Sequence, residues 1–356
     1  MRAFFSDDQL LHQPRQFMRV GRLCEPTDVP ARAEALQRAL AARAITVSAP
    51  PDYGRAPLET VHSPAYLDFL STAYTRWTAL ASSTLEPGIE VLPNLSPYHS
   101  GRIDQTRRAP CPSDNIIAQT GYYLGDLSCP LGPHSWRSIE RSAHSAVAAA
   151  RHVSAPDAGG LAYALCRPSG HHARTDRASG FCYVNNSAIA AQTLLERFDK
   201  VAVLDVDAHH GDGTQQIFYQ RSDVMTISLH ADPSNYYPFY TGYATERGHG
   251  AGYGYNLNFP LPHGTADVGF LAALDGALDA LRDYRPQALV LALGFDTYVH
   301  DPISVLRVEL DAYRGIGERI HALGVPTVVV QEGGYEVDAI GRALEAFLSG
   351  FVPATA

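Results

Sequence analysis

Short apolar runs that stop abruptly at polar or glycine-rich segments recur along the second half of the chain: Val201 to Asp207 (VAVLDVD), Val224 to His230 (VMTISLH), Ala288 to Phe295 (ALVLALGF) and Pro326 to Gln331 (PTVVVQ). Continuous rather than alternating apolar character predicts strands buried on both faces. Helical patterns fall between them, over Ser187 to Phe198, Ala266 to Tyr284 and Leu310 to Leu323. An Ala-rich stretch, Ser138 to His152, predicts an earlier helix and precedes a short strand near Leu161 to Leu165. Strand alternating with helix means an α/β domain with a mostly parallel sheet. From about Glu86 to Pro133 the chain is instead rich in Pro, Gly, Ser and Tyr without clear periodicity. That segment reads as a long excursion from the core, of the kind used as a lid or an oligomer contact.

In open parallel sheets the loops after the strand C-termini build the site. Here those ends read DVDAHHGDG, HADP, GFDTYVHDP and EGGY. Side chains two apart on a strand point the same way, so Asp205, Asp207 and His209 are expected on one face as the strand leaves the sheet. Carboxylate with imidazole suits zinc or another divalent first-row metal, and Asp296 at a second strand end offers a further carboxylate. The set Asp207, His209 and Asp296 leaves a coordination position for water, which is the layout of a catalytic site. A single acidic strand end would more simply cap a neighbouring helix, but four such loops together argue for chemistry. The segment RPSGHHA carries adjacent His171 and His172. A histidine pair alone is weak evidence. Asp205 and Asp212 strengthen it as partners able to fix the tautomer and raise basicity. Tyr335 follows Gly333 and Gly334, small residues that let backbone approach a site while a phenol is presented to it.

The chain has 356 residues, 46% hydrophobic and 18% charged, enough to bury a sizeable core. Its apolar runs are far shorter than the roughly 20 residues of a membrane span, so a soluble globular protein is expected. Lys plus Arg is 28 against Asp plus Glu 37, a net charge of -9, which opposes nonspecific binding to nucleic acid or anionic membrane and is compatible with a cationic substrate. The cysteines (Cys24, Cys111, Cys129, Cys166 and Cys182) are odd in number and none are spaced as CxxC, so neither a disulfide framework nor a thiolate zinc site is indicated. The N-terminus MRAFFSDDQLLHQPRQF has acidic residues and a proline where a signal peptide needs an apolar core, and a cytoplasmic home is expected.

Together, RPSGHHA, LDVDAHHGDGTQ, GFDTYVHDP and EGGY resemble, in order and spacing, the zinc-dependent histone deacetylase family. Within it, VHSPAYLDFL, GFCYVNN from Gly180, SLHADP and the long excursion look most like the bacterial acetylpolyamine amidohydrolases. The resemblance implies one arginase-deacetylase domain over 1–356, an α/β fold with an eight-stranded parallel sheet flanked by helices. It places Asp207, His209 and Asp296 on the zinc ligands. His172, paired with Asp212, falls on the general base and acid, and His171, paired with Asp205, on its electrostatic neighbour. Tyr335 falls on the donor to the substrate carbonyl, and Gly180, Phe181 and Tyr237 on the wall of the substrate tunnel. Structural potassium is implied at Asp205, Asp207, His209, Ser228 and Leu229, and at a second site formed by Phe218, Arg221 and Val224.

A binuclear manganese ureohydrolase of the arginase type is the nearest rival on this fold, with DAHxD and DxD motifs. Asp207, Ala208 and His209 match it, but Gly211 and Tyr298 stand where further aspartates are needed. A noncatalytic module that binds acylated ligands would not need both histidines and Tyr335. The expected substrate is a small acylated amine such as an acetylpolyamine, with acyl-lysine proteins and other small amides as alternatives. The stretch before Gly121, SDNIIAQT, offers no glutamate to meet a distal ammonium, leaving Asp114, Glu86 and Glu90 as candidates. The excursion is expected to narrow the tunnel mouth and to form a homodimer contact.

Overall fold

The computed structural model describes residues 1–82, 86–97, 108–156 and 159–352. Ten strands occur among them: β1 (Arg2–Phe4), β2 (Phe17–Arg19), β3 (Arg22–Cys24), β4 (Val47–Ser48), β5 (Leu161–Ala164), β6 (Val201–Asp205), β7 (Val224–Ala231), β8 (Asn256–Leu261), β9 (Ala288–Leu293) and β10 (Thr327–Gln331). Eight form one sheet in the order β4-β1-β5-β10-β9-β6-β7-β8, every pairing parallel, while β2 and β3 make a separate antiparallel hairpin.

Alternate residues of the central strands enter two different cores. Ala202, Leu204, Leu289, Leu291 and Val329 face one, closed by helices Pro30–Ala42, Asp267–Tyr284, Ala312–His321 and Val337–Phe351. Val201, Val203, Val290, Val328 and Val330 face the other, closed by Pro64–Thr78, Ser135–Ser154 and Asn186–Leu194. Burial on both faces is why these runs are continuously apolar. The parallel arrangement sends the loops after β5, β6, β7, β9 and β10 to one end of the sheet, where the site lies.

The excursion departs from its expected character. It contains a helix, Ile116–Tyr123, capped by the Asn115 side chain, and a bridge between Val91 and Leu131 ties its two ends. Val91, Ile116, Tyr123, Leu124, Cys129 and Leu131 are all buried in the second core, so the excursion is anchored to the core at these positions while much of its described length is partly or fully exposed. Residues 98–107 of the excursion lie outside the described residues. All five cysteines are free thiols. Among the described residues no helix is long and apolar enough to cross a membrane.

Candidate active site

Strand β6 ends at Asp205, two residues earlier than its apolar run suggested, so strand alternation does not align Asp205 with Asp207 and His209. Loop hydrogen bonds arrange them instead. The Asp207 amide donates to Asp205 Oδ1 at 3.1 Å and the His209 amide to Asp207 Oδ1 at 2.9 Å. Asp205 turns to His171, while Asp207 and His209 meet Asp296 from the loop after β9. One donor atom from each of Asp207, His209 and Asp296 lies within 4.8 Å of the others, all buried. His209 Nδ1 is 2.8 Å from Asp296 Oδ2 and 3.2 Å from Asp207 Oδ1. The Gly333 and Ala208 amides hold the remaining carboxylate oxygens, at 2.8 and 2.9 Å. A Cβ on Gly294 or Gly333 would come within 2.1 or 2.5 Å of Asp207 Oδ2, so glycine at both positions is a packing requirement.

Burial, reinforced by the Asp207 charge, pushes Asp296 up to about 7. Two carboxylates packed in a dry site are costly without a cation, and the carboxylate-imidazole donor set fits a divalent metal. A second buried group, His171, Cys182 and Glu332, is otherwise engaged. Glu332 accepts from the Gly170 and His171 amides and from Ser187, bracing the histidine loop.

His171 Nδ1 lies 2.9 Å from Asp205 Oδ2, and His172 Nδ1 lies 2.8 Å from Asp212 Oδ1. Their environments diverge. Burial opposes charge on His171, but Asp205 and Asp207 outweigh it and hold the imidazole well above its ordinary range. Burial and the neighbouring His171 push His172 down to about 4, against the pull of Asp212. Arg174 adds a contact to Asp212 Oδ2 at 2.9 Å, keeping that carboxylate ionised. Asp301 accepts from the Tyr335 amide at 2.6 Å. The Arg32 guanidinium sits 4.5 Å over the Tyr335 ring and donates to the carbonyls of Glu332 and Gly334. Burial raises the phenol far above its usual range despite Arg32, so Tyr335 is a proton donor at neutral pH.

His172, His209 and Tyr335 open into one cavity of about 390 Å³. Phe17, Phe181, Tyr236, Tyr237 and Phe239 give it aromatic walls, and Asp126 and Ser128 bring the excursion to it. Tyr237 meets His172 edge-on at 4.9 Å, and Tyr236 stacks on His209 at 4.5 Å. A Cβ on Gly180 would fall 2.4 Å from His172 Cδ2, so glycine there gives the histidine its room. Sequence reasoning named Phe181, Tyr237 and Gly180 but missed Phe17, Arg32, Asp126 and Tyr236. The YYP run at Tyr236 carried a usable signal, whereas Phe17 on β2, Arg32 on the helix Pro30–Ala42 and Asp126 in the excursion are brought in from segments distant in the chain. Asp114, Glu86 and Glu90 do not line the cavity, and among the described residues its one carboxylate beyond the histidine and metal-ligand loops is Asp126.

Asp205 and Ser228 are register neighbours of β6 and β7, and Leu229 follows. A small void of about 10 Å³ bounded by Asp205, Ser228 and His210 has room for about one ion or water. Phe218 ends the helix Asp212–Phe218, its carbonyl accepting from the Arg221 amide at 2.9 Å, and Val224 opens β7.

The Histone deacetylase domain model matches residues 24–351. The chain belongs to the histone deacetylase family. Members of this family are zinc-dependent, and the family and its relatives here mark the chain as a hydrolytic deacetylase. It is 46% identical over 351 residues to the acetylpolyamine amidohydrolase of Burkholderia pseudomallei, covering 99% of this chain and 98% of that one. With acetylpolyamine amidohydrolase 1 of Pseudomonas aeruginosa it shares 42% over 353 residues, 99% of each chain. The crystal structure of acetylpolyamine aminohydrolase from Burkholderia pseudomallei superposes with a TM-score of 0.91 at 45% identity, over 99% of this chain and 98% of that one. Within this deacetylase site, an arginase-like second metal site is blocked by packing: a Cβ on Gly211 would lie 2.3 Å from Asp205 Oδ2, leaving no space for the aspartate it requires.

Proposed function

We propose that this chain is a zinc-dependent amidohydrolase that removes acetyl groups from acetylpolyamines and similar small acylated amines. The observation that carries the reading is the opening of a buried carboxylate-imidazole cluster, a neutral histidine and a protonated tyrosine into one aromatic-walled cavity. Asp207, His209 and Asp296 would hold zinc, which when bound polarises an amide carbonyl and acidifies water. His172, neutral and oriented through Nδ1 by Asp212, takes the proton of the attacking water and returns it to the amine nitrogen as the C–N bond breaks. His171, held cationic by Asp205, keeps His172 from protonating early. The Tyr335 phenol donates to the carbonyl oxygen as negative charge develops there. Gly180, Phe181 and Tyr237 form the sleeve around the aliphatic chain.

Structural potassium is proposed at Asp205, Asp207, His209, Ser228 and Leu229, and at Phe218, Arg221 and Val224. A homodimer contact through the excursion is proposed from its placement at the cavity mouth, and a cytoplasmic location accords with five free thiols. The test is hydrolysis of N-acetylputrescine, N-acetylcadaverine, acetylspermidine and acetyl-lysine peptides, with elemental analysis of Asp207→Ala, His209→Ala and Asp296→Ala. Each variant is expected to lose metal and activity together. Full zinc occupancy in all three would refute the ligand assignment.

A further inference from the structure

Three buried charges lead to Tyr335 without entering the substrate cavity. Asp28, Arg32 and Arg167 are each no more than 3% exposed, and none of them lines that cavity. One carboxylate oxygen serves both guanidinium groups. Asp28 Oδ1 accepts from Arg32 Nη1 at 2.5 Å and from Arg167 Nε at 2.9 Å. Asp28 Oδ2 is buried and makes no hydrogen bond among the described residues, so the side chain is given over to the two arginines.

Each arginine then reaches a different loop. Arg167 opens the segment RPSGHHA and is fixed by the carbonyls of Gln9, His12 and Asp28, at 2.8, 2.6 and 2.7 Å. Arg32 directs its other donors to the carbonyls of Glu332 and Gly334, while its guanidinium covers the Tyr335 ring. A buried guanidinium keeps one position only where a counter-charge and acceptors hold it. Arg167 fixes Asp28, Asp28 fixes Arg32, and Arg32 fixes ring and turn together.

We infer that Asp28 is a positioning residue for the reaction, setting the direction of the Tyr335 hydroxyl through Arg32 without itself reaching the cavity. The inference rests on the amidohydrolase reading above, in which that hydroxyl donates to the carbonyl oxygen. Donor geometry matters most as charge develops on the oxygen, so misdirecting the phenol slows turnover more than it weakens substrate binding.

The test is a double-mutant cycle on the zinc-loaded full chain with N-acetylputrescine, kcat being taken per bound zinc. Asp28→Ala is expected to lower kcat roughly ten- to hundredfold while KM changes by less than about threefold. Asp28→Asn, which keeps one oxygen for the arginines, should lower kcat less. In the Tyr335→Phe background the same Asp28 substitutions should lower kcat by less than about twofold, because the group they misdirect is already gone. A brace that merely holds the fold would lower kcat by equal factors in both backgrounds, and that result overturns the inference. An unchanged kcat in Asp28→Ala does so too. Arg32→Lys keeps the charge but loses donors to the turn, and it should reproduce the pattern, which keeps the test decisive if Asp28→Ala does not fold. Equal factors for Arg32→Lys in the two backgrounds likewise overturn the inference while leaving amide hydrolysis standing. Turnover of no acylated amine by the parent chain would sink the amidohydrolase reading, and this inference with it.

Discussion

His171 and His172 are neighbours in the chain, with ring centroids 4.0 Å apart, yet they are driven to opposite charge states. Asp205 and Asp207 flank the first, whereas the second faces the cavity beside a neighbour that is already cationic. A general base must be neutral to accept a proton, and that division of roles leaves His172 available at neutral pH. Tyr335 supplies the complementary property, since a phenol raised by burial remains an O–H donor. His172→Ala and Tyr335→Phe are therefore expected to retain zinc while lowering kcat by at least about 100-fold, as deletion of a proton-transfer group or an oxyanion donor does. Metal content and kcat measured on the same preparations check this. Near-normal turnover in Tyr335→Phe would show that another donor serves the oxyanion.

At the scale of elements, loops after separate strands brace one another. The Asp301 carboxylate, beyond β9, anchors the Tyr335 amide beyond β10, and Arg32 from the first helix holds the same turn. The metal-binding and histidine loops were legible in the sequence because their ligands cluster within a few residues. The supporting contacts were not, because each joins segments far apart: Asp126 to Gly180 and Tyr237, Arg32 to Glu332 and Gly334. Periodicity also failed on the excursion, whose buried residues are dispersed among Pro, Gly and Ser and packed by tertiary contact. Removing the Asp126 clamp should loosen the tunnel wall. Asp126→Ala leaves the Gly180 amide and the Tyr237 hydroxyl without their acceptor, for an expected destabilisation of about 1–3 kcal/mol. KM for small acylamines should rise more than kcat falls, since Asp126 makes no hydrogen bond to His172 or Tyr335. Thermal unfolding and steady-state kinetics test both parts, and an unchanged KM would mean that the wall keeps its shape without this carboxylate.

Across the whole molecule, legibility followed depth. The interior strands β6, β7, β9 and β10 announced themselves as apolar runs, while both edges of the sheet were missed: β4 is only two residues long, and β8 (NLNFPL) is interrupted by Pro260, a residue tolerated at an edge. The same depth buries imidazoles outside the candidate site. His62 accepts from the Asn185 amide through Nε2 at 2.8 Å, and burial pushes it down to about 4. His12, beside Ser135, is pushed down to about 3 by burial and then by Arg167. Both are neutral when folded, whereas an unfolded histidine titrates near about 6.5. Their folded values are depressed, so the unfolded chain binds more protons below about pH 6.5, and stability must rise with pH there. Their contribution is fully present above about pH 6.5 and is lost as pH falls towards about 4 for His62 and about 3 for His12. Each should steepen the slope of unfolding free energy by up to about 1.4 kcal/mol per pH unit in that window. Denaturant unfolding between about pH 6 and 4.5 measures this slope, and His62→Asn, which keeps an amide oxygen for Asn185 but cannot titrate, should reduce it by about one proton. An unaltered slope in that variant would show that His62 does not report the burial that the fold imposes on it.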